Sequence, residues 1–228
     1  MDDDRLKSEI ARLLELERAS NAVSYAHDRT MSYQGYRRIG WPGNRVVEDR
    51  FSELGVYDLL GPSTDTLDIG SNAGFTTVEA ALSGRSAHGV EPNTLLNRIG
   101  ALVASHLGAG EKTRFYDMPF SEFDPPLRYG VVLSLAAFHT HDGRERESAE
   151  AYFDKVRDCL VPGGFLVFES VSYAPEGDHR CPELVPYREP VRAGVEYIGE
   201  IFRIERSFTK KRAKDGAERI CLVAVKDC

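Results

Sequence analysis

The chain has 228 residues, of which 42% are hydrophobic, and no apolar run is long enough to span a membrane. Its formal net charge of −7 argues against a general nucleic-acid binder, because contacts to phosphate need a positive surface. The acidic amino terminus shows no secretory signal, so we expect a cytoplasmic protein with no membrane contact.

The first 50 residues are predicted to form a helical lid or cap, and residues 51–228 to form the main domain. From Asp4 to about Ala26, apolar side chains recur every three or four positions. This predicts an amphipathic helix that could serve as a lid or as a contact between copies of the chain. Residues 28–51 mix arginines and aromatic residues with glycines, which predicts an ordered loop and a short helix.

After residue 61, short apolar runs alternate with helical patterns. The runs lie at 66–69, 87–90, 113–116, 129–135 and 164–170, and two further runs, at 201–208 and 220–225, flank a charged turn. Strands that alternate with helices indicate a parallel sheet covered on both faces. We therefore predict a doubly wound, mostly parallel seven-stranded α/β sheet that ends in an antiparallel hairpin strand, with an extra N-terminal helix.

Residues 66–75 read as a strand that runs into a turn of small residues and then into a helix. Glycines at positions 70 and 74 allow a sharp turn and a close approach of the backbone to a ligand, and the helix start offers free N–H groups. Glu91 follows the next strand about 20 positions later, where an acid can accept hydrogen bonds from ribose hydroxyls. This combination predicts a nucleoside-like ligand.

The spacing in this segment separates two kinds of nucleotide site. The nicotinamide pattern G-x-G-x-x-G is incomplete here, and Asp68 lies two residues before Gly70. The segment resembles the first motif of class I S-adenosylmethionine-dependent methyltransferases, D-x-G-x-G-x-G, with Asn72 at the second glycine. Asparagine tolerates a positive φ, so the departure is mild. A looser similarity, carried by 133–135 and His139, points to the branch that includes the transfer RNA wobble-uridine enzymes.

The resemblance implies a site for S-adenosylmethionine. The glycine-rich turn would hold the methionine moiety, Glu91 the ribose and Asp117 the adenine amino group, with Met118 against the ring. Among the residues before the motif, an arginine could clamp the cofactor carboxylate, or these side chains could merely lie on the surface. The candidate cofactor-binding residues are Asp68, Gly70, Ser71, Asn72, Gly74, Phe75, Glu91, Pro92, Asp117, Met118, Ser134, Leu135, Tyr33, Arg45 and Arg50.

Three side chains are candidates for the proton acceptor in methyl transfer. His139 and His141 follow the fourth strand of the sheet, and histidine titrates near neutral pH; alternatively, they only shape the pocket or cap a helix. Glu169, at the end of the fifth strand, is a base or a solvated strand-end acid. No further ligands accompany His139, His141 and Asp142 at a metal-site spacing, so no metal is expected.

We therefore predict a methyltransferase that acts on an oxygen or nitrogen of a small molecule, such as a sugar or a biosynthetic intermediate. An RNA methyltransferase is the alternative, and it would need one basic face formed by Arg37, Arg38, Arg45 and residues 210–214. A further alternative is a module that binds the cofactor or a partner without transferring methyl. His179, Arg180 and Tyr187 could contact the acceptor.

Overall fold

The computed structural model describes residues 1–21, 27–28, 31–138, 148–171, 188–211 and 218–227. The chain has a mixed α/β fold with a seven-stranded, mostly parallel sheet and divides into two compact units, residues 1–123 and 124–228. The predicted fold class, with its N-terminal helix and C-terminal antiparallel hairpin, is confirmed. No helix in the described part of the chain is long and apolar enough to cross a membrane.

The first unit opens with helix α1 (Asp3–Ser20). The Asp2 carboxylate accepts a hydrogen bond from the Arg5 amide at 2.9 Å and so caps the helix. The helix ends earlier than the predicted Ala26, because Asn21 has an extended backbone. Its buried face packs against a later helix of the same unit and consists of Leu6, Ile10, Leu13, Leu14 and Glu17.

Short elements occupy the segment between α1 and the sheet. Its strands and helix are β1 (His27–Asp28), β2 (Met31–Ser32), β3 (Gln34–Gly35), β4 (Arg45–Val46) and α2 (Val47–Leu54). Strand β3 pairs in parallel with β4, and β1 pairs with β2 in antiparallel fashion. The loop and short helix predicted for residues 28–51 thus also contain two small two-stranded sheets.

Three parallel strands form the part of the sheet that belongs to the first unit. In chain order, the elements are β5 (Asp65–Ile69), α3 (Phe75–Ser83), β6 (Ser86–Val90), α4 (Thr94–His106) and β7 (Thr113–Tyr116). Strand β6 pairs in parallel with both β5 and β7. All five residues of β5 are buried, although two of them are aspartates and one is a threonine. Because the strands are parallel, the loops that follow them emerge at one edge of the sheet.

Two glycines let the start of α3 lie directly against α4. A Cβ on Gly74 would lie 2.7 Å from both the Gly100 Cα and the Phe115 Cε1. Gly74 also has φ 74°, in the left-handed region that favours glycine. Gly74 was predicted to permit a close approach to a ligand, but in the structure its missing side chain makes room for the neighbouring helix and the Phe115 ring.

The second unit supplies the remaining strands. Its elements are β8 (Tyr129–Leu135), α5 (Ala149–Cys159), β9 (Leu160–Val171), α6 (Arg188–Ile201), β10 (Arg203–Lys211) and β11 (Glu218–Val225). Strands β8 and β9 are parallel, whereas β11 pairs in antiparallel fashion with both β9 and β10. Helix α6 lies in a segment for which no element is predicted, although its buried residues Val191, Gly194 and Ile198 recur at helical spacing.

Candidate functional site

The loop after β5 has an unusual backbone. Gly70, Asn72 and Gly74 all have positive φ values, of 66°, 54° and 74°. The value for Asn72 is one that asparagine adopts more readily than other side chains, so it can replace the glycine expected at this position. Gly70 is exposed between the buried residues Ile69 and Ser71. The loop therefore exposes bare backbone to solvent at Gly70.

The Glu91 carboxylate joins this loop to the one that follows β6. Its Oε2 accepts a hydrogen bond from the Asn72 amide and its Oε1 accepts one from the Asn93 amide, both at 3.1 Å. Each oxygen of the carboxylate is thus bonded to a backbone amide, one in each of the two loops. Glu91 is half-buried. It is therefore held in place by the backbone while part of it still faces solvent.

The loop after β7 is held by an asparagine from α4. The Asn97 Nδ2 lies 2.6 Å from the Asp117 Oδ1, 2.8 Å from the Glu91 backbone oxygen and 3.3 Å from the Tyr116 backbone oxygen. Asp117 is exposed and Met118 is half-buried. The residues predicted to bind ribose and adenine are thus both bonded to Asn97, Glu91 through its backbone oxygen and Asp117 through its carboxylate.

Asp68 lies under the loop and is only 2% exposed. Burial raises the pKa of its carboxyl to about 7, although the hydrogen bond from Thr77 and the charge of Arg50 both favour ionisation. The Thr77 hydroxyl donates to Asp68 Oδ2 at 2.7 Å, and the nearby Glu91 charge adds to the upward shift in pKa. Asp68 is therefore placed to support the loop from within the core.

Gln34, which was not predicted, fastens the loop from the other side. Its Nε2 donates to the Ser71 backbone oxygen at 3.1 Å, and its Oε1 accepts from the Phe75 amide at 3.2 Å. Gly74 has no side chain to cap α3, so Gln34 caps this helix from 41 residues away in sequence. No local sequence pattern predicts a cap from so distant a residue.

Phe75 begins α3 and is fully buried. Its amide is bonded to Gln34, and its ring stacks on Tyr36 with centroids 5.6 Å apart. The described contacts of Phe75 thus lie in the core and at the helix cap, and its part in cofactor binding stays a prediction.

A buried carboxylate anchors the N-terminal segment to α3. Glu79 accepts hydrogen bonds from the Tyr36 and Tyr57 hydroxyls, each at 2.8 Å, and from Arg38 through Nε at 2.6 Å and Nη2 at 2.9 Å. Burial opposes its ionisation, but the bonds from Arg38 and the two tyrosines outweigh that cost and lower the pKa of Glu79. Residues 36–38 are thereby fixed beside the loop.

The arginines before the motif are not arranged as one open basic face. Arg37 makes two hydrogen bonds to Asp49, at 2.6 and 2.5 Å, and Arg38 pairs with Glu79. Arg45 and Arg50 are buried, at 9% and 4% exposure. Their positions give no support to the RNA alternative.

Helix α1 reaches the same edge of the sheet. The buried carboxylate of Glu17 accepts a hydrogen bond from the Asn93 Nδ2 at 3.1 Å. Asn93 caps α4 and directly follows the Glu91–Pro92 pair, of which Pro92 is exposed. The helix predicted as a lid therefore bonds next to the candidate site, whereas an oligomer formed through it stays a prediction.

The described candidate residues of the second unit are all buried. The Ser134 hydroxyl lies 2.9 Å from the Tyr152 hydroxyl, and Leu135 is 6% exposed. Glu169 is fully buried, and its Oε2 lies 3.4 Å from the Lys210 Nζ. This burial and the ion pair favour a structural role for Glu169, because a base must reach its proton.

Several predicted residues lie outside the described part of the chain. They are His139, His141, Asp142, His179, Arg180, Tyr187 and 212–214. Of Tyr33, the structure gives a half-buried side chain and a backbone oxygen bonded to the Arg45 amide at 2.9 Å. Among the described residues, no group of three or more histidine, cysteine and acidic side chains could hold a metal ion.

No family model matches the chain, and no curated protein matches it in sequence. Solved structures do match. The N-methyltransferase NodS from Bradyrhizobium japonicum WM9, in complex with S-adenosylhomocysteine, has a TM-score of 0.64 at 13% identity, over 96% of this chain and 98% of NodS. A Geobacter sulfurreducens S-adenosylmethionine-dependent methyltransferase, also with S-adenosylhomocysteine, has a TM-score of 0.63 at 12% identity, over 95% and 98%. The chain has the class I methyltransferase fold.

A third similar structure is a small-molecule enzyme. It is the Burkholderia thailandensis 1,6-didemethyltoxoflavin-N1-methyltransferase with 1,6-didemethyltoxoflavin and S-adenosylhomocysteine bound, at 20% identity and a TM-score of 0.57, over 80% of this chain and 78% of that one. At such low identity, these likenesses establish the methyltransferase fold alone. What the site can bind must come from its own residues.

The residues at the loop edge of this methyltransferase fold suit a charged nucleoside. The exposed backbone at Gly70 leaves room for a ligand, and Glu91 and Asp117 offer acceptors for hydroxyl and amino groups. Met118 adds a flexible apolar surface next to Asp117. The three groups follow three neighbouring strands, so one ligand could contact all of them.

Proposed function

We propose that this protein is an S-adenosylmethionine-dependent methyltransferase that transfers a methyl group to an oxygen or nitrogen of a small molecule. The observation that carries the proposal is the Glu91 carboxylate, which is bonded to the Asn72 and Asn93 amides beside the exposed Gly70 backbone. This arrangement holds an acid ready for a ribose before any ligand arrives. The S-adenosylhomocysteine in similar structures supports the same cofactor.

Each residue of the site has a role that follows from its chemistry. The backbone at Gly70 lets the methionine moiety approach closely, since no side chain stands in the way. Glu91 accepts hydrogen bonds from the ribose hydroxyls, and Asp117 accepts one from the adenine amino group. When bound, S-adenosylmethionine supplies a methyl group already activated on a sulfonium, so the protein mainly orients the acceptor and receives its proton.

His139 is our first candidate for the proton acceptor. Glu169 is fully buried and close to Lys210, which makes it the weaker candidate of the two. Changing His139 to phenylalanine removes the base but keeps an aromatic ring, so turnover should fall while the affinity for S-adenosylhomocysteine is kept. His141 is the next residue to test in the same way.

The small-molecule acceptor is preferred to RNA because two of the candidate basic residues are already paired. Arg37 and Arg38 bond to Asp49 and Glu79, and the chain is acidic overall. The toxoflavin and NodS enzymes, whose folds are similar, are N-methyltransferases, which supports the nitrogen acceptor.

The first test is calorimetric titration of the purified protein with S-adenosylmethionine and with S-adenosylhomocysteine, after a mass-spectrometric check for cofactor carried through purification. Micromolar binding is expected. A folded protein that binds neither compound, and carries none, would contradict the proposal.

Transfer is then tested with S-adenosylmethionine that carries a labelled methyl group. The label is offered to the small-molecule fraction of a cell extract and, separately, to total RNA, with Glu91→Gln as a control of weakened cofactor affinity at a subsaturating cofactor concentration. Label in the small-molecule fraction is expected. Label in RNA alone would move the acceptor to the RNA class, and label in neither would favour a module that binds without catalysis.

A further inference from the structure

One side chain is bonded to several parts of the candidate site at once. Asn97 is 4% exposed and lies on α4, one helical turn after the helix cap Asn93. Its Nδ2 faces three acceptors, the Asp117 carboxylate and the backbone oxygens of Glu91 and Tyr116. Three acceptors around one amide nitrogen fix the orientation of the amide, because the reversed amide would point its oxygen at all three.

This orientation has a cost. The Asn97 Oδ1 is buried and has no hydrogen-bond partner among the described residues. A buried acceptor without a partner is unfavourable and rare in folded proteins. A leucine would fill a similar volume without that cost, but it would deprive the three acceptors of Nδ2 of their hydrogen bonds.

The bond to Asp117 is the shortest of the three, at 2.6 Å. It engages Oδ1 only, and Oδ2 of this exposed side chain has no partner among the residues that the structure describes. A carboxylate accepts hydrogen bonds and donates none, so Oδ2 attracts an amino group and repels a carbonyl oxygen. The selectivity of this acid for an amino group depends on how firmly it is aimed.

We propose that Asn97 is a positioning residue that makes the site selective for adenine over hypoxanthine, by holding the Asp117 carboxylate towards the base. The inference rests on the proposed function, because it takes Asp117 as the acid that faces the purine. The start of the helix that carries Asn97 is capped, since Asn93 accepts hydrogen bonds from the Leu95 and Leu96 amides. Asn97 thereby joins Asp117 to the capped start of α4.

The test compares two ligands that differ at one position of the base. S-adenosylhomocysteine carries the adenine amino group, and S-inosylhomocysteine carries a carbonyl oxygen there. We expect the wild-type protein to prefer the former by about 100-fold, and Asn97→Leu to reduce this ratio about tenfold or more. Asp117→Ala should abolish the preference, and adding Asn97→Leu to it should change the ratio no further.

The ratio separates positioning from general destabilisation. Val103→Ala, also in the buried face of α4, should lower the melting temperature but keep the wild-type ratio. If Asn97→Leu does not fold, Asn97→Asp keeps the size of the side chain, removes the donor and adds a like charge beside Asp117. A wild-type ratio in the folded Asn97 variants would overturn the inference. A wild-type protein that binds neither ligand would instead contradict the proposed function.

Discussion

Asp68 and Glu79 are two buried carboxylates of the same unit whose pKa values are shifted in opposite directions. Burial raises the pKa of Asp68 to about 7, because the Thr77 hydroxyl and the nearby Arg50 charge compensate only part of the desolvation. Burial also opposes ionisation of Glu79, but Arg38 and two tyrosine hydroxyls outweigh it and lower the pKa. The neighbours of Glu79 outweigh its desolvation, whereas the neighbours of Asp68 offset only part of the desolvation there.

The difference matches their places in the molecule. Glu79 lies on α3, where it ties the N-terminal segment to the fold, and full compensation makes that tie firm. Asp68 directly precedes Ile69 and the exposed Gly70. Incomplete compensation is expected near a binding site, where a cationic ligand can supply the missing favourable charge.

We expect the largest effect from Asp68→Asn, which should remove a pH dependence of the folding stability. The pKa of Asp68 is about 7 when folded and near 3.8 when unfolded, so between these values the folded state holds the extra proton. Wild-type stability should therefore fall as the pH rises through this window, by roughly 4 kcal/mol from this group. Asparagine cannot ionise, so the variant lacks this loss.

The measurement is the melting temperature of both proteins from pH 4 to 8, without cofactor. The value for Asp68→Asn minus that for the wild type should increase up to about pH 7 and then level off. Taking the difference cancels the titration of the other groups. A difference that does not vary with pH would mean that Asp68 ionises normally in the folded protein.

The second largest effect should be a loss of stability when Glu79 is replaced. Glu79→Gln removes the charge that Arg38 pairs with and should cost roughly 3 kcal/mol of unfolding free energy, measured by urea denaturation. Asp49→Asn is the matched control, because it breaks the exposed pair with Arg37, in which both side chains are at least half exposed, and should cost less than about 1 kcal/mol. Equal losses would mean that the Glu79 cluster is no stronger than a surface pair.

Glu91→Gln tests the loop clamp itself. A neutral amide accepts the Asn72 and Asn93 bonds less strongly and can offer only one oxygen to them and to the ribose. The affinity for S-adenosylhomocysteine should fall by about 2 kcal/mol, or roughly 30-fold, in calorimetric titration. Glu79→Gln is the control and is titrated at the same temperature. As long as this variant is folded, its affinity for S-adenosylhomocysteine should be close to that of the wild type. Unchanged binding by Glu91→Gln would remove Glu91 from the site.

The sequence could predict the fold because its signals are local. The apolar runs gave the strands, and the alternation with helices gave a mostly parallel sheet with an antiparallel end. Helix α6 escaped prediction because Pro190 lies inside it and its buried positions are few, although Pro in the first turn of a helix is well tolerated. Helix α1 was predicted too long, since the pattern does not mark its end.

The site could be predicted only in part, because sequence spacing locates strand ends but not the side chains that support them. Glu91 and Asp117 were found from their positions after strands. Gln34, Glu17 and Asn97 were not, because their partners Phe75, Asn93 and Asp117 lie 41, 76 and 20 residues away and are brought near only by folding. A polar side chain buried beside a predicted loop is recognisable only once the structure is known.

The smallest effect we predict is that of replacing Gln34. It tests whether the loop after β5 needs the hydrogen bonds of this side chain to bind the cofactor. Gln34→Leu keeps the volume but removes the bonds to the Ser71 oxygen and the Phe75 amide, so α3 loses its cap. Stability should fall by about 1 kcal/mol, and the affinity for S-adenosylhomocysteine should fall severalfold, because the unliganded loop is no longer held in its binding conformation.

Ser148→Ala is the matched control for this change. The Ser148 hydroxyl caps α5 by accepting from the Ala151 amide at 3.2 Å, so its loss should cost a similar amount of stability. It belongs to a helix that contributes none of the proposed cofactor contacts, and its affinity for S-adenosylhomocysteine should stay at the wild-type value. If both variants lose affinity equally, Gln34 acts through overall stability. If only Gln34→Leu loses affinity, the N-terminal segment is part of the binding site through this one side chain.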